Sequence, residues 1–452
     1  MKKISISKKT LFSASKKTAK LAIPIVGSRL VNAINLFIAM LLIAQLGHAQ
    51  LAAGALVSSL SITLSVIAWS MLFSVGVVVG YTFGSGKNKE LGLILRSGLL
   101  LGTLISIPVI FTMWHIGPIL RLFHQQEQLV ILTQKYFHGL VWGILPSIWI
   151  VCCSQFVIAI EKARVVLILS ILSLILMLIP GYGLLFGVFG LPKIGMAGMA
   201  YANAFMSWTI FILIVIYLLQ NQFNKYKIFS FSKIFSWTYL KKLFTVGYPI
   251  SIQYGAELTA FSLSTIFCGW ISQASLAAWQ IMIQLNMIII MVPYGLAQAS
   301  AVLVGQALGR NNRQAIRPLG YAGLLLGTVF MFTIALVYLF VPKLLISLYL
   351  NIHQSAYLAT VHTAVLLLAV AAFSQFFDGI RNISTGVLRG FHDTKVPMLV
   401  GIMATWVIGI PVSYTLAFIF HWGAVGVSMG FMFGVSIGAV ILLRRFHKKS
   451  VS

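Results

Sequence analysis

The chain has 452 residues, of which 60% are hydrophobic and 8% charged, and it carries a net charge of +26. A soluble domain is about one quarter charged, so composition excludes a soluble enzyme. An excess of Lys and Arg in so apolar a chain reports membrane topology rather than nucleic-acid binding.

A spanning helix needs about 20 apolar residues. Twelve such runs are predicted, at 21–45, 52–80, 92–116, 130–156, 164–188, 195–219, 243–270, 277–306, 318–341, 358–386, 396–420 and 423–443. They are too long and too uniformly apolar for barrel strands, so the expected fold is an all-α polytopic membrane protein. The lysines before the first run could open a secretory signal. The run is span-length with no small-residue cleavage site, so it is read as the first helix. That helix carries a polar stripe of Arg29, Asn32 and Asn35. Arg29 either meets an anionic group inside the protein or snorkels to the interface.

After the second span, Gly84-Ser85-Gly86-Lys87 misses the spacing of a phosphate loop and reads as a turn. Cys152, Cys153 and Cys268 lie inside spans, with no metal or disulfide spacing. No His-Glu-x-x-His or Gly-x-Ser-x-Gly pattern suggests an intramembrane enzyme, and no cofactor is expected.

Basic residues cluster at alternate connections: Lys2, Lys3, Lys8, Lys9, Lys16, Lys17 and Lys20 first, then Lys87, Lys89 and Arg96, then Lys162 and Arg164. The pattern continues with Lys225, Lys227, Lys233, Lys241 and Lys242, then Arg310, Arg313 and Arg317, then Arg389 and Lys395, and closes with Arg444, Arg445, Lys448 and Lys449. Only Arg121, Lys135, Lys193 and Lys343 fall on the other side. By the positive-inside rule both termini are cytoplasmic.

The chain also repeats itself. Pro24 answers Pro249, Leu51-Ala52-Ala53 answers Leu276-Ala277-Ala278, and Gly98-Leu99-Leu100-Leu101-Gly102-Thr103 answers Gly323-Leu324-Leu325-Leu326-Gly327-Thr328, all at an offset of 225. Later the offset drifts, with Ile179-Pro180 answering Ile410-Pro411 and Gly195 with Gly198 answering Gly423 with Gly426. The expected organisation is an N-terminal six-helix lobe (1–220), a cytoplasmic linker (221–242) and a C-terminal six-helix lobe (243–452). Repeats of this kind build secondary transporters that hold substrate between rocking halves.

Six acids occur in all, and two, Glu257 and Asp378, interrupt apolar spans. A carboxylate at the bilayer centre costs roughly 2.5–3.5 kcal/mol on insertion scales, so such a residue marks a functional site. Glu257 shares a helical face with Gln253, Tyr254 and Ser264, and Asp378 lies in the stripe Ser374, Gln375, Asp378, Arg381, Asn382, Thr385. The eighth span supplies Gln280, Gln284, Asn286, Tyr294 and Gln298. Carboxylate and amide oxygens suit Na⁺ or a proton relay. Arg381, three residues after Asp378, either pairs with it or leaves it free for an ion. Glu257 has no basic neighbour in sequence. Its repeat partner is Asn32 and that of Asp378 is Ser147, so the second half holds the titratable site.

These features resemble the multidrug and toxic compound extrusion family, NorM-like branch, over essentially the whole chain. The similarity runs through Leu46-Gly47 to Leu51-Ala52-Ala53, Val79-Gly80 to Gly84, Pro249 to Glu257, Leu276-Ala277-Ala278, Pro293-Tyr294-Gly295-Leu296-Ala297-Gln298-Ala299 onward to Gly309, Phe377-Asp378, and Val387-Leu388-Arg389-Gly390 to Asp393-Thr394. The resemblance implies twelve helices in two lobes in a bacterial inner membrane, exporting small organic cations and drugs against Na⁺ or H⁺ entry. Surrounding lipid and the substrate are the expected partners, with no nucleic acid, and one chain is the expected working unit. It also implies cation coordination by Glu257 and Asp378. Many members carry an aspartate in the first helix where this chain has Ala39, and Trp279 stands where histidine is frequent. Two acids with amide neighbours favour Na⁺ over H⁺. The rival readings are a lipid-carrier flippase, with Arg29 and Arg381 holding an anionic head group, and a non-transporting channel or scaffold.

Overall fold

The computed structural model describes residues 7–229 and 235–451. Lys2, Lys3 and Lys233 of the basic flanks, and the side chain of Leu51, lie outside the described residues. The described residues are almost entirely helical, beginning with α1 Lys8–Ala44, α2 His48–Met71, α3 Phe73–Gly84, α4 Asn88–Trp114, α5 Ile116–Leu122, α6 Glu127–Ala159, α7 Ala163–Phe186 and α8 Met196–Leu218. A 3₁₀ turn at Asn221–Tyr226 leads on to α9 Trp237–Ile271, α10 Gln273–Ile289, α11 Met291–Gly309, α12 Arg313–Phe340, α13 Pro342–Ser347 and α14 Leu358–Gly390. Then come α15 Lys395–Ile402, α16 Ile410–Tyr414 and α17 Gly423–Val451, with π-helical turns at Met403–Gly409 and Thr415–Ile419 on either side of α16.

Among the described residues, 11 helices are long and apolar enough to cross a membrane, with α2–α3, α10–α11 and the α15–α16 stretch each counting as one. The twelfth is α9, long enough at 35 residues but diluted by Gln253, Glu257 and a run of hydroxyls. Those hydroxyls turn back on their own helix: Thr259 donates to Gly255 O at 2.9 Å, Ser262 to Leu258 O at 3.0 Å, Ser264 to Ala260 O at 3.1 Å and Thr265 to Phe261 O at 3.0 Å. Back-bonding satisfies the hydroxyls where no water reaches them. The protein is an all-α polytopic membrane protein.

Two compact units make up the chain. One comprises Met1–Val26 with Ile252–Ser452, the other Gly27–Ser251. The divisions fall within α1 and α9, each two residues beyond the repeated prolines Pro24 and Pro249. Proline lacks an N–H and frees the carbonyl one turn earlier, which makes it the natural point for a long helix to bend. The segment after α8 packs into the second unit: Phe223, Tyr226 and Ile228 are buried, and Arg96 donates to Lys227 O at 3.2 Å and Ile228 O at 2.9 Å.

The duplication seen in the sequence is present in the backbone. Gly86 and Asn311 hold matching positive φ values of 74° and 54°, and each follows a helix closed by the same pair of hydrogen bonds. In the first half Gly86 N donates to Phe83 O and Lys87 N to Thr82 O; in the second, Asn311 N donates to Leu308 O and Asn312 N to Ala307 O. Glu161 and His392 are a second matched pair, at 65° and 60°. Left-handed closure satisfies the last carbonyls of a helix, and only Gly and a few polar residues enter it cheaply.

Packing repeats too. A Cβ on Gly98 would stand 2.9 Å from Val75 Cγ2 and 2.8 Å from Cys152 Sγ; one on Gly323 would meet Ser300 Oγ at 2.2 Å and Ile383 Cγ2 at 3.3 Å. Those neighbours are themselves repeat partners. Small residues at such crossings let helices approach closely where the hydrophobic effect offers nothing against lipid. Other crossings are backbone to backbone. At Gly386 an added Cβ would lie 2.2 Å from Ala297 O. Side chains can shift and a packed carbonyl cannot, so Gly386→Ala should cost more than Gly98→Ala. The expected loss is about 1–3 kcal/mol, measured as a lower thermal midpoint in detergent.

At the basic end of the first unit, Asp393 in the turn after α14 accepts from Arg445 Nε and Lys449 Nζ of α17, both at 2.7 Å. Burial pushes the Asp393 carboxyl up, but the hydrogen bonds and charges of Arg445 and Lys449 outweigh it and hold the group below its ordinary value. A depressed carboxylate contributes stability that is fully present above its unfolded value of about 3.9 and is lost as pH falls through the lower folded one. Asp393→Asn should therefore lower the thermal midpoint at pH 7, with the gap to the wild type closing in strongly acidic buffer.

A candidate cation-binding site

Glu257 on α9 and Asp378 on α14 converge on a single guanidinium. Arg381 Nη1 donates to Glu257 Oε1 at 2.5 Å, while its Nη2 and Nε donate to Asp378 Oδ1 at 2.8 and 3.0 Å. All three residues are buried, with 6%, 7% and 4% of Glu257, Asp378 and Arg381 exposed. Charge-assisted hydrogen bonds of this kind are roughly twice as strong as neutral ones. Burial without them would be prohibitive.

Two amides complete the acids' contacts. Gln253 Nε2 donates to Glu257 Oε1 at 3.1 Å, and Asn382 Nδ2 to Asp378 Oδ2 at 2.8 Å. Both spacings are one helical turn, so each acid brings its own amide on its own helix. The Gln253 carbonyl in turn accepts from Arg389 Nη2 at 3.1 Å, and the Arg389 guanidinium lies 5.4 Å from the centroid of the Tyr254 ring. Tyr254 meets Tyr294 of α11 edge-on at 5.9 Å. Glu257, Asp378, Arg381 and Arg389 thus form a set of two negative and two positive groups strung along α9 and α14.

The π-helical turns brace α9 beside this site. Trp406, in the first of them, donates its indole N–H to Ala256 O at 3.0 Å, next to Glu257. Gly401, just before that turn, lets Gln253 lie close, since a Cβ there would stand 3.0 Å from Gln253 Cγ. Single π turns inside α-helices recur at functional sites because they re-aim side chains that regular winding would misplace.

The other residues expected from sequence divide between the two units. Gln375 is buried one turn before Asp378, and its Oε1 has no hydrogen-bond partner among the described residues. Tyr294 and Gln298 are half-buried on α11. Gln280 and Gln284 lie exposed on α10, and Asn286 accepts from Tyr338 Oη at 2.8 Å. Ser264 is spent on its own helix. Trp279 is fully buried and donates to Thr265 Oγ1 at 3.0 Å, a core residue of the first unit. In the second unit, Asn32 is exposed, Ala39 and Asn35 are buried, and the Arg29 guanidinium sits 5.9 Å from the Phe73 ring centroid. Sequence alone left Glu257 without a cation. The structure supplies Arg381 from 124 residues away. Arg389, counted from sequence among the topology-setting charges, is part of the site. Its signal was present: Arg381, Thr385 and Arg389 recur at every fourth residue along one face of α14.

The MatE family model matches this chain twice, over residues 24–183 and 249–415, and the two matches begin 225 residues apart like the repeat itself. The chain belongs to the MatE family. It is 30% identical over 437 residues to the probable multidrug resistance protein NorM of Synechocystis sp., covering 96% of this chain and 94% of that protein. To the multidrug resistance protein NorM of Burkholderia vietnamiensis it is 32% identical over 437 residues, again covering 96% and 94%. Its fold matches that of the eukaryotic MATE transporter AtDTX14 with a TM-score of 0.85 at 19% identity, over 98% of both chains. The Vibrio cholerae MATE transporter VcmN matches at 0.87 and 16% identity, over 98% of both chains. MatE membership and these relatives make the protein a membrane transporter.

Proposed function

We propose that this transporter exports organic cations and drugs in exchange for Na⁺ or H⁺, with the coupling cation bound at Glu257 and Asp378. The observation that carries the reading is the convergence of two buried carboxylates from different helices on one guanidinium. Arg381 is the cation bonded directly to the two acids, and Arg389 balances Glu257 only at one remove through Gln253, so a cation that displaces Arg389 can bind at Glu257. Asn382 and Gln253 stand beside the acids, and their amide oxygens are donors of the kind Na⁺ accepts. The names of the NorM relatives support drugs as cargo.

Binding a cation changes the charge of a site buried on both helices. Such binding shifts outward- and inward-facing populations only by its differential affinity for the two. The repeat halves 1–220 and 243–452, joined through 221–242, are the parts that alternate, and a single chain is the working unit. The basic residues at one set of helix ends support a bacterial inner-membrane protein with both termini in the cytoplasm. A lipid-carrier flippase would need Arg29 and Arg381 for an anionic head group. The geometry speaks against that, because the Arg381 guanidinium is already engaged by Glu257 and Asp378. Dye efflux from vesicles under an imposed Na⁺ or pH gradient, one at a time, tests the reading. One of the two gradients should accelerate efflux, and indifference to both would overturn it.

A further inference from the structure

Protein charges alone balance in this cluster: Glu257 and Asp378 against Arg381 and Arg389. A coupling cation arriving at Glu257 adds a positive charge that the set does not compensate. One arginine must then withdraw, and the two are held very differently. Arg381 makes three charge-assisted hydrogen bonds to carboxylates and is 4% exposed. Arg389 reaches the cluster through one hydrogen bond to a neutral amide and one aromatic face. Its Nε is buried with no acceptor among the described residues. It is half-buried and sits in the last turn of α14, where a long side chain has room to swing outward.

We propose that Arg389 is the exchangeable counter-charge of the site: it closes on Gln253 and Tyr254 to balance Glu257 and withdraws when the coupling cation binds there. This rests on the export reading above. Gln253 is the hinge of the exchange. Its amide group donates to Glu257 and accepts from Arg389 at once, so turning that one side chain breaks both contacts together. Arg389 makes the cation leave as well as enter, because its return to Gln253 competes with the bound ion. A transporter needs that second property, since a site that holds its ion too tightly cannot turn over.

The test is the half-saturating concentration of the driving ion for dye export by proteoliposomes, read together with the maximal rate. Na⁺ is titrated at fixed pH, and pH is varied without Na⁺. In Arg389→Gln the balancing charge is gone. The ion should bind at least about tenfold more tightly, and the maximal rate should fall because release slows. Arg389→Lys keeps the charge and should stay near the wild type. Tyr254→Leu, which removes the ring beneath the guanidinium together with its contact to Tyr294, should shift affinity in the same direction by about two- to tenfold. Unchanged or weaker ion affinity in Arg389→Gln or in Tyr254→Leu overturns the proposal, as does an Arg389→Lys protein that behaves like Arg389→Gln. A wild type driven by neither ion overturns the export reading itself, a result separate from any shift in the variants.

Discussion

Arg381→Met is expected to be the most damaging single substitution in the first unit. It leaves Glu257 and Asp378 facing each other in a buried interior with no cation between them. Breaking a buried pair by removing one partner costs about 3–5 kcal/mol, a large share of a typical total stability of about 5–15 kcal/mol. A steep loss of the thermal midpoint and of monodisperse protein in detergent should follow. The triple variant Glu257→Gln, Asp378→Asn, Arg381→Met removes all the charges at once, so no uncompensated group remains and much of the stability should return. If Arg381→Met alone matches the wild type within about 1 kcal/mol, Arg381 is not the keystone described here.

The second large effect is on transport. Glu257→Gln keeps the shape of the side chain and removes its charge. Arg381 retains its two bonds to Asp378 in that variant, and Gln253 still has an oxygen to donate to, so folding and expression should survive. Ion-driven export should not. The glutamate is the carboxylate that links Arg381 to Gln253 and Arg389, and a neutral amide offers a cation neither charge nor a proton-binding group. Export under the driving gradient should fall to the background of empty vesicles. Asp378→Asn should also impair export but cost stability too, since Asp378 takes two of the three hydrogen bonds that Arg381 makes to the acids.

Much of this fold is legible in the sequence because membranes impose simple rules. Span length, the sidedness of Lys and Arg, and a constant repeat offset require only local reading. The repeat extends to the turns, where Gly86 and Asn311 take the same left-handed conformation with different residue types. The site is half legible for the same reason. Asp378, Arg381 and Asn382 lie within one turn of α14, so their association follows from helical spacing, as does that of Gln253 with Glu257. The bond from Arg381 to Glu257 joins different helices, and no spacing rule reaches across them. Arg389 was hidden by a different cause. At the end of a span, a basic residue is fully explained by topology, and only its contact with Gln253 and Tyr254 sets it apart. The π turns around α16 left no mark, because neither apolar periodicity nor glycine content distinguishes them from regular helix.

Antiport through Glu257 is tested most directly in reverse. Proteoliposomes loaded with an organic cation and diluted into substrate-free buffer should take up the coupling ion as the cation leaves, followed with radiolabelled Na⁺ or an internal pH dye. The wild type should show ion uptake that depends on the outward substrate gradient, and Glu257→Gln should show none at equal protein density. Equal ion uptake by the two proteins would contradict the account.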